Sequence, residues 1–204
     1  SGGFFLIENV LKSRRSIRRY LTDSVKDDVL HKLLEAATWA PSAHNKQPWR
    51  FAVLQDAFQK ENLAHAMGNK LRFDRTNDGD DPEIIERDVA KSLKLIEGSP
   101  IVIVVCLSMS DMDVYVDEHR SNAEFLMAVQ STAMAVQNLL LAAHTMGLGA
   151  CWRCAPLFCA ETVIDTLKLP QNWHPQALVT LGHPDEDGKT TPSRLSLSEV
   201  TKWL

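Results

Sequence analysis

Hydrophobic and polar positions change their period several times along this chain. From Phe125 to Met146 (FLMAVQSTAMAVQNLLLAAHTM), 22 residues pass without an Asp, Glu, Lys or Arg. The run is rich in Ala, Leu and Met and lacks Pro and Gly, which predicts a helix of roughly 33 Å. That length would suffice to cross a bilayer, but Gln130, Ser131, Thr132, Gln137, Asn138 and His144 would each need a polar partner in lipid. The pattern therefore predicts a helix buried on nearly all sides in a soluble fold. Part of it is expected to meet a second subunit, because a 204-residue chain rarely wraps such a helix alone. Gly147 and Gly149 break the helix, and the chain is expected to turn tightly into Ala150-Cys151-Trp152-Arg153.

Shorter periods surround it. Ile7 to Lys12 reads as a short helix. Ser24 starts a second, with Asp27 as capping-box partner; Val29, Leu30, Leu33, Leu34 and Ala37 recur at helical spacing, and the helix ends at Trp39-Ala40 before Pro41. Pro41 to Pro48 is a polar loop, Trp49 to Leu54 is strand-like, and Asp56 caps a helix that ends near Gly68. Asn69 to Pro82 is charged and reads as the least structured stretch, either a flap over a site or a plain surface loop. Glu83 to Glu97 is helical. Pro100 to Leu107 (PIVIVVCL) is a continuous β-branched run expected at the centre of a sheet. Asp111 to Asp117 is an acidic connection into the long helix. Glu161 to Leu167 forms a short helix, and Ala177 to Leu181 a last strand that ends at Gly182-His183-Pro184. No repeat or linker divides the chain, so one α+β domain over residues 1–204 is expected, with Ser1-Gly2-Gly3 as a cloning remnant.

Composition narrows this picture. The chain is 45% hydrophobic and 24% charged with a net charge of −4, which argues against a global basic field for nucleic acid or an acidic membrane. Phe4-Phe5-Leu6-Ile7 is too short for a secretory signal core. Three of the four cysteines crowd into Cys151, Cys154 and Cys159, which is no disulfide framework and points to the cytoplasm.

Chemistry concentrates in two places. Arg14-Arg15-Ser16-Ile17-Arg18-Arg19 sets four guanidinium groups within six residues, which repel one another unless solvent or an anion separates them. A phosphate would relieve that repulsion and accept bidentate hydrogen bonds, with Ser16 adding a hydroxyl; a solvated basic turn is the alternative. Cys151-Trp152-Arg153-Cys154 allows a dithiol, half a zinc site with Cys159 or Cys106, or small packing residues. No histidine pair has metal-ligand spacing, and no nucleophile-elbow sequence occurs.

SRRSIRRY, APSAHNKQPWRF, GLGACW and LGHP followed by a tail arginine occur in that order over essentially the whole chain. Together they resemble the FMN-dependent nitroreductase family. Among its branches, GLGACW, LKLPQNWHP and LGHP are most similar to the nitroreductase-type domain associated with the γ-glutamyl ligase of deazaflavin-coenzyme biosynthesis and its stand-alone relatives. The resemblance implies a nitroreductase-like fold: a central, mainly antiparallel sheet flanked by helices, with the long helix at the centre of a homodimer that holds two FMN sites. It implies that Arg14, Arg15, Ser16, Ile17 and Arg18 hold the phosphate and ribityl chain, joined by Arg194. Ser42, Asn45 and Gln47 would contact the ring bound by the other subunit. Lys94 would set a cation near the pyrimidine end, where charge accumulates on reduction. Trp152, Arg153, Cys154 and Ala155 would turn backbone N–H groups toward N-5.

The function implied is NAD(P)H-dependent reduction of an electron-poor small molecule (a nitroaromatic, quinone, enone or flavin-like acceptor) by ping-pong hydride transfer. No protein side chain is obligatory as acid or base, and no nucleic acid, membrane or metal partner is expected. Two other readings stand beside it: a reductase or binder of a deazaflavin-coenzyme precursor, and a thiol-redox or zinc protein built on Cys151 and Cys154.

Overall fold

A continuous apolar run of eight residues can be buried only if both faces of its strand are covered. The computed structural model, which describes residues 2–185 and 192–204, shows how this is done. Strand β2 (Ile101–Ser108) is buried at every position and lies inside a four-stranded antiparallel sheet of order β1-β2-β4-β3, with β1 Trp49–Leu54, β3 Gly149–Arg153 and β4 Trp173–Gly182. Ile101, Ile103 and Val105 face helices α2 (Asp27–Thr38) and α5 (Glu118–Thr145), packing with Leu33, Ala37, Ala135, Val136 and Leu139. Val102, Val104 and Cys106 face the other way, onto Leu63, Ala64 and Met67 of α3 (Ala57–Asn77), Ile96 of α4 (Pro82–Glu97) and Val163 of α6 (Ala160–Leu167). The α+β architecture expected from the sequence is present. The remaining helices are α1 (Gly2–Ser13), which starts earlier than the expected Ile7, and α7 (Leu197–Val200) in the tail.

Four local expectations are corrected. The stretch 69–77 is helix, not loop: α3 runs through Gly68 to Asn77. Gly68 does not break it, because the glycine gives α4 a close approach; a Cβ there would lie 2.9 Å from Leu93 Cδ1. Ion pairs fasten the extension, Lys70 to Asp74 within α3, Arg72 to Glu86, and Arg75 to Asp80 and Asp88. Only the turn between Asp78 and Asp81 fits the expected irregularity, with Gly79 at φ 81°.

Helix α2 begins at Asp27, with Lys26 rather than Ser24 at its N-cap and no side-chain cap bond. The buried Val25 anchors the chain just before it, and Asp27 and Asp28 supply negative charge to its first turn. Strand β4 begins at Trp173, four residues before the expected start. Pro175 cannot donate to the ladder, and the register shift between Val105 and Cys106 absorbs it. Finally, Gly147 turns the chain at φ 74°, but Gly149 to Arg153 is a strand rather than a tight turn.

The long helix runs 28 residues, starting earlier than expected because the Asp117 carboxylate accepts from Arg120 N–H at 2.9 Å. By length and composition it could cross a membrane. In the fold only one face is buried: Ala128, Ser131, Ala135, Leu139 and Ala143 lie against the core, while Leu126 is 58% exposed and Phe125, Met134 and Met146 also stand open. The expectation of burial on nearly all sides therefore does not hold within one chain.

Lys60, 6% exposed, is a buried cation with a structural task. Its ammonium donates to the carbonyls of Ser99 at 2.7 Å and Pro100 at 3.0 Å, tying α3 to the junction between α4 and β2; burial pushes its pKa down.

Gly149 meets the body of another segment at close range, since a Cβ there would lie 2.7 Å from Ile17 Cβ and Cγ2. Gly149→Ala should cost about 1–3 kcal/mol through overpacking, read as a lower midpoint in chemical denaturation. An unchanged midpoint would show that the Ile17 segment yields freely.

Candidate functional site

The arginine segment is held as an extra, partial strand at the free edge of β3. Ser16 bridges Ala150 in parallel sense and Tyr20 bridges Pro184 in antiparallel sense. Ile17 N–H donates to Ala150 O at 3.1 Å, and Leu21 N–H donates to His183 O at 2.8 Å. Ile17 is buried, so the segment is pinned at its middle while the arginines around it reach outward. Tyr20 adds a second anchor: its hydroxyl donates to Ile17 O and lies 2.8 Å from Thr180 Oγ1. Gly182 makes room for the base of that side chain and for the Pro100 ring, because a Cβ there would lie 3.2 Å from Tyr20 Cβ and 2.7 Å from Pro100 Cδ.

The segment opens onto a cleft of ≈ 590 Å³ whose charged lining is Arg18, Arg19, Lys91, Lys94, Arg153 and Asp185, with Tyr20, Leu95 and Gly98 completing it. Residues from four separated stretches of sequence converge here. Arg18, Lys94 and Arg153 were expected at the site. Arg19 belongs to the arginine cluster but was not among the expected cofactor contacts, and Lys91 was not singled out; Lys91 sits one helical turn before Lys94 on α4, a spacing that could have suggested a shared face.

At the other end of the segment, Arg14 and Arg15 are half-buried. Ser13 Oγ lies 2.7 Å from His144 Nε2 on α5, and Arg15 donates to the carbonyls of Lys12 and Arg14. Burial, then the charges of Arg14 and Arg15, hold the His144 imidazole below its ordinary pKa.

The loop carrying Ser42, Asn45 and Gln47 is not part of this cleft. It joins α5 at Ser131, whose hydroxyl accepts from Ala43 N–H at 3.2 Å and donates to Met127 O at 2.7 Å. Ser131 and His144 are separated by roughly 20 Å along the helix at 1.5 Å per residue, so the two groups of expected site residues sit at distant places on one spine. Three non-glycine residues in this loop, His44, Asn45 and Gln47, have φ of 49°, 54° and 49°. Such left-handed conformations cost of order 1 kcal/mol each and mark places where the surroundings over-determine the backbone. Gln47 N–H donates to Ser42 Oγ at 3.1 Å, Arg50 donates to Gln47 O at 3.0 Å, and Lys46 pairs with Asp113 at 3.0 Å. The Asp113 carboxylate beside it raises the Lys46 pKa.

Trp152 is half-buried on the core, and its indole N–H donates to Cys154 Sγ at 2.8 Å. Cys154 is exposed beyond the end of β3, and Ala155 opens a 3₁₀ turn over Ala155–Phe158. Cys151 is buried inside the strand. Cys106 and Cys159 are buried thiols whose pKa values are pushed up to about 12 and about 11 by burial, which keeps them protonated. All four cysteines are free, and among the described residues no three His, Cys, Asp or Glu side chains gather as a metal site. Arg194 stands on the exposed tail, donating to Ser193 O at 2.8 Å, and is not among the residues lining the cleft.

Can these residues take FMN? A cationic strand tied to a sheet edge, opening on a cleft of this volume with half-buried arginines at one end and lysines at the other, matches a ligand with a terminal dianion and a large polar ring. The donor set fits.

Comparison with known proteins agrees. A model described as Nitroreductase family matches residues 11–183. The chain is 31% identical to a protein named NADH dehydrogenase from Thermus thermophilus, over 93% of this chain and 92% of that protein. A nitroreductase-type protein of Desulfovibrio desulfuricans, solved in complex with FMN, superposes with a TM-score of 0.72 at 28% identity, covering 96% of this chain and 94% of that one. A BluB-like flavoprotein of Clostridium difficile shares the fold, with a TM-score of 0.78 at 22% identity over 97% and 98% of the two chains.

The depressed pKa of His144 carries a consequence for stability. Both folded and unfolded chains hold it neutral well above pH 6.5. As pH falls through 6.5 the unfolded histidine takes up a proton that the folded one resists, so stability declines toward the lower folded value. His144→Gln, which keeps a hydrogen-bonding group near Ser13, should flatten the fall in melting temperature between pH 7.5 and 5.5. A variant whose melting curve tracks the parent's at every pH would show that His144 contributes nothing to it.

Proposed function

Because the chain belongs to the nitroreductase family, we propose that it is an NAD(P)H-dependent FMN oxidoreductase that reduces an electron-poor small molecule and works as a cytoplasmic homodimer. The observation that carries this reading is the cationic strand Arg14–Arg19, bound to the edge of β3 and opening on a cleft with Lys94 and Arg153 opposite. The FMN complex of the Desulfovibrio relative and the NADH dehydrogenase name of the Thermus relative support the cofactor and the donor.

When bound, FMN supplies the redox chemistry, taking hydride from NADH or NADPH and passing two electrons on to the acceptor. This chain's part is binding, orientation and charge. Arg14, Arg15, Ser16 and Arg18 bind the phosphate and ribityl chain together with Arg194, while Ile17 fixes their backbone. Lys94 offers positive charge to the pyrimidine end of the ring. The segment from Trp152 to Ala155 borders the ring through its backbone, with the edge of β3 beyond Ala150 unpaired among the described residues. Ser42, Asn45 and Gln47 serve the site of the opposite subunit. Two observations support that assignment: their distance from the arginine segment along α5, and the open, uncharged face of α5 at Leu126, Met134 and Met146. An apolar face of that extent favours burial against a second copy.

The purified protein should be yellow and elute as a dimer in light scattering; a folded monomer that retains FMN would sink the shared-site assignment. Arg14→Ala should weaken FMN binding by about 1–3 kcal/mol, the scale of a charge-assisted hydrogen bond, measured by isothermal titration. Retention equal to the parent's would place the phosphate elsewhere.

The cysteines separate this reading from a dithiol mechanism. Cys151→Ala and Cys154→Ala should each leave NAD(P)H-dependent quinone reduction within about tenfold, roughly 1.4 kcal/mol of barrier. Turnover abolished by Cys154→Ala with FMN still bound would overturn the assignment of that segment to backbone contacts alone.

A further inference from the structure

Helix α5 brings an ionisable side chain, His144, to the base of the arginine segment. Its Nε2 lies 2.7 Å from the hydroxyl of Ser13, the last residue of α1 and the one before Arg14. Residues 140–148 hold no other ionisable group, so the charges that act on the imidazole come from other elements. Arg14 and Arg15 of the segment repel its proton, adding to the effect of burial. On α1, Lys12 is paired with Glu8. Helix α2 turns Leu30, Leu33 and Ala37 to the core and leaves Asp27, Asp28, His31, Lys32 and Glu35 exposed. Strand β3 offers the buried thiol of Cys151.

A neutral partner for Ser13 does not require an imidazole, because an amide can make the same bond. What the imidazole adds is a second state. Protonated, it is a donor at both nitrogens, so Nε2–H must donate to Ser13 Oγ and the hydroxyl proton is released for another acceptor. The free site opposes that state, because two guanidinium charges act on a half-buried ring. A phosphate dianion among the same guanidinium groups reverses the balance, since its two negative charges offset theirs at comparable distance. The last turn of α5, where His144 stands, favours a cation as well.

Resting on the flavoenzyme reading, we propose that His144 is a further residue of the phosphate site: when FMN binds beside Arg14 and Arg15, the imidazole takes a proton from the medium and the Ser13 hydroxyl becomes a donor toward the phosphate. One N–H bond forms, and nothing is oxidised or reduced. Flavin and proton binding are therefore linked, each raising the affinity of the other. The phosphate itself works against this linkage in part, because its second ionisation lies at about pH 6 and the arginines draw that proton off. Comparing the parent with a variant that cannot charge separates His144 from that background.

Titration calorimetry of the full chain, first freed of flavin, in buffers of different ionisation enthalpy counts the protons exchanged as FMN binds. At about pH 6.5, where an ordinary histidine is half charged, the parent should take up about half a proton more per FMN than His144→Gln. The glutamine keeps a partner for Ser13 but cannot charge; His144→Asn serves where the glutamine variant folds poorly. A second measurement needs only the parent to be well folded. In NMR titrations the His144 imidazole resonance, identified by its absence from either variant, should reach its midpoint at higher pH with FMN bound than without. Equal proton counts for parent and variant, both binding FMN, or a His144 midpoint that FMN does not raise, would overturn the proposal and leave the flavoenzyme reading intact. A chain that takes up no FMN would overturn both.

Discussion

Like charges crowded at one place must be held there by something stronger than their repulsion, and this fold does so with backbone geometry. The strand from Arg14 to Tyr20 cannot relax away from its neighbours, because its middle residue is buried and hydrogen-bonded to Ala150. Gly149 leaves the space that Ile17 fills, and Gly182 the space that Pro100 and the Tyr20 Cβ fill. Backbone hydrogen bonds and close packing are insensitive to salt, whereas repulsion among partly exposed guanidinium groups is screened by it. The positive site is therefore a product of rigid neutral contacts, and its charges are ready for an anion before one arrives.

The long helix plays a comparable role at larger scale. One face of α5 packs the sheet through small residues, Ala128, Ala135 and Ala143, which bring the helix close to the strands. Its polar residues are spent on local attachments: Ser131 receives the strained loop, His144 meets Ser13 at the base of the arginine segment, and Asn138 donates to Ala36 O at 3.2 Å. The helix thus fixes the spacing between two groups of ligand-type residues that one chain keeps apart. In the proposed homodimer, a second copy would bring the far group of one subunit to the near group of the other.

The loop at His44, Asn45 and Gln47 illustrates how strain is stored. Left-handed backbone at three non-glycine residues persists because Ser42, Arg50, Ser131 and the Lys46–Asp113 pair all constrain it. Glycine at those positions would remove the strain but also the Asn45 and Gln47 amides, the hydrogen-bonding groups the loop presents.

Periodicity alone determined the β2 strand, the long helix and the α2 stripe of Leu30, Leu33 and Ala37, because burial on one or two faces imprints a local pattern that no distant residue can erase. The four ordered motifs pointed to the family, which the match over residues 11–183 bears out. Tertiary structure decided the rest. Gly68 reads as a helix end in sequence, yet it sits inside α3, because the approach of Leu93 from α4 is invisible to a local window. Gly149 to Arg153 reads as a turn, yet pairs with β4 along its length, since strand pairing depends on a partner more than twenty residues away. Spacing could place Lys91 on one helical face with Lys94 and could set Arg19 among the arginines, but not bring them to one cleft, because a lining drawn from four stretches of chain exists only after folding has closed the distances between them. The exposed half of α5 is the same lesson reversed: composition could count its apolar residues, but only the packed fold could show which of them a single chain leaves uncovered.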